Sequence, residues 1–181
     1  MSETGPFDFD TPRWYAVYTK SRHEKRVHQH LVPKMEEVFL PLTKVWSRRK
    51  DRRVKFDKPL LPGYLFIREA LSPAKRLTVL QTFGVVRILS SKGGEQALPE
   101  PIPEEQIESL KILVAARQEI HPCDSLSLGE EVEVIAGPFM GARGKLTQIN
   151  PKQSRLVVSI DLINQAVAVD IDVRDVEKVK S

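Results

Sequence analysis

The last third of the chain constrains the fold most. From Gly129 onward, Val132 and Val134 alternate with Glu131, Glu133 and Ile135; Leu156, Val157, Val158 and Ile160 form a buried-type run; Val167, Val169, Ile171 and Val173 recur at period two. Strands this short and this closely spaced leave room only for hairpin turns, so they predict a small β-barrel. The density of β-branched residues also opposes a helix here, at a few tenths of a kcal/mol per residue. Between the first two strands lies "AGPFMGARGK", where Gly137 and Pro138 mark a turn and Gly141 and Gly144 offer backbone conformations barred to residues with a Cβ. The glycines superficially suggest a phosphate loop. Gly137 is two positions too far from Gly144 and Lys145, however, and Leu146 stands where a magnesium-binding Ser or Thr is required.

Upstream of this segment the chain changes character. Pro99 to Pro103 is proline-punctuated, and Glu104 to Arg117 is predicted as an amphipathic helix with acids in its first turn, which suits the helix dipole. Residues 118–125 lack apolar periodicity and read as a linker, leaving 126–181 as a unit near the size at which a domain folds alone. The first hundred residues mix both periods: "RWYAVYT" is a strand in which Trp14, Ala16 and Tyr18 alternate with Tyr15 and Val17, Glu24 to Val32 a helix, "EVFLPLTKVW" and "PGYLFIR" further strands, Pro73 to Gln81 a helix and "GVVRIL" a last strand. A single antiparallel sheet with helices packed on it is expected.

Charge divides the chain the same way. Residues 1–100 carry 19 Lys or Arg against 11 Asp or Glu, a net +8, and residues 101–181 carry 9 against 13, a net −4. A basic half is drawn to polyanions and an acidic half is not, so the two face different partners. With 41% apolar and 29% charged residues, the composition is that of a globular protein. Cys123 is the only cysteine, which excludes a disulfide framework and fits a reducing cytoplasm. No apolar run approaches the roughly 18 to 20 residues of a membrane span, and the acidic start Met1 to Asp10 does not resemble a signal peptide.

Two basic clusters carry the candidate chemistry. "KVWSRRKDRRVKFDK", from Lys44 to Lys58, holds eight Lys or Arg and two Asp, interleaved with Trp46 and Phe56. It is either a solvated hairpin tip or a nucleic-acid contact, in which cations neutralise phosphates and aromatic rings stack on bases. The second cluster, Lys20, Arg22, His23, Lys25, Arg26, His28 and His30, runs from the first strand along the first helix. His28 and His30 are two apart on a helix and face different ways, which argues against a zinc site. There is no GxGxxG, no GxSxG and no carboxylate pair spaced for acid–base work, so no enzyme and no cofactor is expected.

Three blocks resemble one family. "WYAVYTKSRHEKRV" resembles the opening strand and helix of the NusG N-terminal (NGN) domain, "PLLPGYLFI" its Pro-Gly-Tyr strand, and "GEEVEVIAGPFMGARGKLTQI" the KOW motif of its C-terminal domain. The resemblance implies an α+β fold: an NGN domain over 13–117, an antiparallel sheet flanked by helices, joined by linker 118–125 to a five-stranded SH3-like KOW barrel over 126–181. It further implies a transcription elongation or antitermination factor acting as a monomer. Its NGN domain would bind the clamp helices of RNA polymerase through Tyr18, Pro62, Tyr64, Phe66 and Ile88. From spacing alone, Tyr64 and Phe66 share a strand face that is either core or groove. Lys20, Arg22, His23 and Arg26, with Arg48, Arg49, Lys50, Arg52 and Arg53 of the basic hairpin, would meet non-template DNA near the transcription bubble. Phe139 and Ile163 would lie on the barrel's partner face, which in the family recruits Rho or a small-subunit ribosomal protein. Ile163 stands where housekeeping NusG proteins usually have Phe, and "KSRHE" with "DLINQAV" is closer to specialised antiterminators of the RfaH and UpxY type. The alternative is a ribosome-associated or general RNA-binding KOW protein.

Overall fold

The computed structural model describes residues 10–47, 54–90, 97–124, 129–150 and 152–179. Its elements follow in chain order: β1 (Arg13–Thr19), α1 (Glu24–Leu31), β2 (Glu37–Phe39), β3 (Leu42–Trp46), β4 (Lys55–Pro59), β5 (Tyr64–Glu69), α2 (Pro73–Leu80), β6 (Val85–Ile88), β7 (Pro101–Ile102), α3 (Glu104–Ala115), β8 (His121–Asp124), β9 (Glu130–Val134), β10 (Arg143–Asn150), β11 (Gln153–Ile160), β12 (Gln165–Ile171) and β13 (Val176–Lys178). Two compact units result, one drawn from 1–40 and 62–102, the other from 41–61 and 103–181.

The first unit is an antiparallel sheet in the order β2-β5-β1-β6, with β7 also paired to β1. β1 is its central strand. Four consecutive residues, Trp14, Tyr15, Ala16 and Val17, are buried, so both of the faces between which they alternate are covered. A strand covered on both faces has no solvent side for its polar positions, so its sequence reads as a continuous apolar run. Val27 and Leu31 of α1 and Val79 of α2 are wholly buried on this unit. α2 begins on Ser72, whose hydroxyl accepts the Lys75 N–H at 3.4 Å, with Pro73 in the first turn where its missing N–H costs nothing.

The strand expected over "EVFLPLTKVW" is two strands. β2 pairs with β5, whereas β3 pairs with β4 in a separate hairpin. Pro41 separates them because it has no N–H with which to continue a ladder, and its carbonyl instead accepts the Leu60 N–H at 2.8 Å.

In the second unit six strands run in the order β13-β9-β10-β11-β12-β8. Five of them are the KOW barrel, and the sixth comes from the segment expected as linker: β8 pairs antiparallel with β12, His121 opposite Ala168 and Asp124 opposite Gln165. A bare edge on β12 would leave a row of unpaired backbone groups, and this segment pairs them. The expected alternation through Val173 stops at Ile171, since Asp172 accepts the Arg174 N–H and starts a 3-10 turn over Val173–Asp175. Gly144 is required by proximity rather than by φ. A Cβ there would lie 2.3 Å from the Val157 carbonyl oxygen, whereas Gly141 has the left-handed φ of 88°.

α3 packs within this second unit. Ile107, Leu110 and Leu113 are buried along one side, and Ser109 Oγ accepts the Arg143 N–H at 2.9 Å. The Gln106 carboxamide bonds Asp161 twice, donating to its carboxylate at 2.9 Å and accepting its backbone N–H at 3.2 Å. Compactness groups α3 with the barrel.

Candidate functional site

The residues expected to meet a polymerase gather at one end of the first sheet. Tyr18 and Tyr64 are directly opposite in the β1–β5 register, their rings 5.2 Å apart and tilted by 46°, and both are half-buried. Arg87, opposite Tyr18 on β6, holds its guanidinium 5.8 Å from the Tyr18 ring centre. Ile88 is half-buried opposite Val17, and Pro62 is exposed. Phe66 differs from these. It is wholly buried and stacked on Phe39, so of the two aromatic residues on that strand face one is open and the other lies beneath the surface.

The turn leading into β5 is fixed from both sides. Gly63 has φ of 85°, and a Cβ there would meet the Tyr18 ring at 3.0 Å, so the chain can pass beneath that ring only as glycine. Its N–H donates to the buried Glu24 carboxylate at 2.8 Å, and its carbonyl accepts the Thr19 N–H at 2.8 Å. Glu24 was not singled out in the sequence, where it reads as an ordinary first-turn acid. Its burial depends on a partner 39 positions along the chain.

Lys20, His23 and Arg26 come together around one ring, with Arg22 beside them in the chain. Lys20, Arg22 and Arg26 are exposed and His23 is half-buried at the start of α1, its ring nitrogen Nδ1 2.9 Å from the Ser21 carbonyl. Arg22 takes a left-handed φ of 64°, which turns the chain from β1 into the helix. A residue absent from the sequence reading sits among them: Phe83, 55% exposed, has Arg26 at 4.9 Å and Lys20 at 5.5 Å from its ring centre and the His23 ring at 5.6 Å. Only the preceding Thr82 and following Gly84 hint at a turn there.

Of the basic hairpin, Arg48, Arg49, Lys50, Arg52 and Arg53 lie outside the described residues. Its stem is described: Trp46 opposes Lys55, whose ammonium lies 4.7 Å from the indole ring, and Trp46 and Phe56 are 59% and 49% exposed. On the barrel, Phe139 and Ile163 are both buried. Each lies two residues from a position that α3 approaches: Ile112 comes within 3.5 Å of where a Cβ on Gly141 would stand, and Gln106 bonds Asp161. Among the described residues no group of His, Cys, Asp or Glu is arranged to hold a metal ion, and no helix is long and apolar enough to cross a membrane.

Comparison with known proteins agrees with this architecture. The family model described as transcription termination factor nusG matches residues 12–111, and that of the KOW motif matches 128–160. Relatives named transcription termination/antitermination protein NusG include that of Yersinia pestis, 30% identical over 92% of this chain and 96% of its own. That of Pseudomonas aeruginosa is 26% identical over 92% and 98%. A solved structure of Thermotoga maritima NusG shares the fold with a TM-score of 0.56 at 21% identity, covering 95% of this chain and 99% of that one. With an antiparallel N-terminal sheet, a KOW barrel and matches along both, the chain belongs to the NusG family of transcription factors.

Proposed function

We propose that this chain is an elongation or antitermination factor that docks on RNA polymerase through the Tyr18, Pro62, Tyr64 and Ile88 surface, with Phe66 supporting it from below. The same molecule touches non-template DNA with Lys20, Arg22, His23 and Arg26 and with the tip of the basic hairpin. Its KOW barrel recruits Rho or a small-subunit ribosomal protein through the face beneath which Phe139 and Ile163 are buried. Ile163 in place of the housekeeping Phe supports a specialised role. The observation that carries the reading is the half-open Tyr18–Tyr64 pair, pinned by Gly63 and Glu24 beside a basic cluster. Open aromatic rings held rigidly are suited to anchoring a partner helix, because little side-chain entropy remains to be lost on docking. Expected names for this role come from the relatives, which are called termination/antitermination proteins.

Retention of bacterial core RNA polymerase on the immobilised full chain tests it. Tyr64→Ala and Tyr18→Ala should each weaken retention by about 2 kcal/mol, roughly thirtyfold, as expected for interface anchors. Parent-like retention by both variants would remove the polymerase reading and leave the ribosome-associated one.

A further inference from the structure

Phe83 is exposed at a place where nothing in the packing of the sheet requires an aromatic ring. The Val85 N–H donates to the Thr82 carbonyl at 3.0 Å, which closes a tight turn with Phe83 and Gly84 at its two central positions. Gly84 has φ of 98°, the conformation that the second central residue of a type II turn demands. The turn is pressed against α1: a Cβ on Gly84 would lie 2.9 Å from Val27 Cγ2 and 3.0 Å from His23 Cβ. Its carbonyl is fixed from the other side by the Lys20 N–H at 2.8 Å. Phe83 is therefore held outward by a rigid turn, with more than half of its surface open.

Its surroundings are cationic rather than apolar. Lys20 and Arg26 lie 5.5 Å and 4.9 Å from the ring centre, and the His23 ring stands at 5.6 Å with a 55° tilt. Cations of this kind are attracted to the ring face and also draw phosphates to the ring's edge. An apolar protein partner would have to desolvate those charges to reach Phe83. A nucleotide would meet each group with its complement: base on the ring, phosphate on the cations.

We infer that Phe83 is the stacking platform for an unpaired base of single-stranded DNA whose phosphates are held by Lys20 and Arg26. This rests on the DNA-contacting role proposed for the same cluster and adds what the cluster selects. A base inside a duplex presents no open face, so the platform takes only unpaired DNA and tolerates any base, because every base has a π-face.

Fluorescence polarisation with a short labelled single strand of mixed sequence, and with the same strand annealed to its complement, tests the inference on the full chain. Phe83→Ala should weaken single-strand binding about tenfold, the loss expected for one stacked base, with an unchanged salt slope and unchanged duplex binding. Phe83→Trp should bind as tightly as the parent. Lys20→Ala with Arg26→Ala should reduce both affinity and salt slope. Parent-like binding by Phe83→Ala, or an equal loss on the duplex, overturns the platform. If the Lys20 and Arg26 variant still weakens binding in that case, the basic surface stands without the platform; if it too binds as the parent does, both readings fall. Because Phe83 is exposed, circular dichroism of Phe83→Ala should match the parent, which separates lost stacking from lost folding.

Discussion

Asp172 shows how a single exposed side chain can end a strand and make stability depend on pH. Its carboxylate accepts the Arg174 guanidinium, at 2.7 Å from Nη2, and the Arg174 backbone N–H at 2.9 Å. The side-chain bonds first, and the backbone bond after them, hold its pKa down to about 2 from an ordinary 3.8. The folded state therefore releases this proton more readily than the unfolded chain does. The resulting stabilisation is complete above about pH 4 and is lost as the pH falls toward 2. Asp170 shifts the same way, through its bond from Arg155. Replacing Asp172 with Asn should flatten the dependence of the urea midpoint on pH within that window and leave the slope at neutral pH unchanged. Parallel acid limbs for variant and parent would show that the pair does not act through ionisation.

At the scale of elements, periodicity located the helices well and the strand pairings less well. α1, α2 and α3 lie within two residues of their expected ends, because helical spacing and caps such as Ser72–Pro73 are local signals. The β2–β3 division at Pro41, the pairing of β8 with β12 and the end of β12 at Asp172 depend on which backbone groups find partners far along the chain. α3 illustrates the same limit, since its acidic first turn and apolar stripe would serve either unit. Its buried stripe and its bonds to Arg143 and Asp161 lie within the strand-rich unit. Ser109→Ala removes the acceptor for the Arg143 N–H, the first donor of β10, and should cost about 1 kcal/mol. Hydrogen exchange at the Arg143 amide should accelerate accordingly, and unaltered protection there would mean that the α3 contact contributes nothing to the strand.

For the whole molecule, the division of charge sets how it associates. The basic surplus falls in the first hundred residues, and its densest part is the hairpin between Lys44 and Lys58. Charge reversal at Arg48, Arg49, Arg52 and Arg53 should weaken DNA binding and flatten its dependence on salt, since fewer counterions are then released. Equal salt slopes for variant and parent would make the hairpin a solvated tip. The sequence by itself determined the two classes of structure, the three motif blocks that carry the family, and the charge split, because each is written in residue types at fixed short spacings. The tertiary structure alone decided that Phe66 is buried while Tyr64 is half-open, that Glu24 pins Gly63, and that Lys20, His23 and Arg26 converge on Phe83. Those facts depend on pairing β1 with β5 and β6, which brings distant residues together by hydrogen-bond register, and no local period encodes that register.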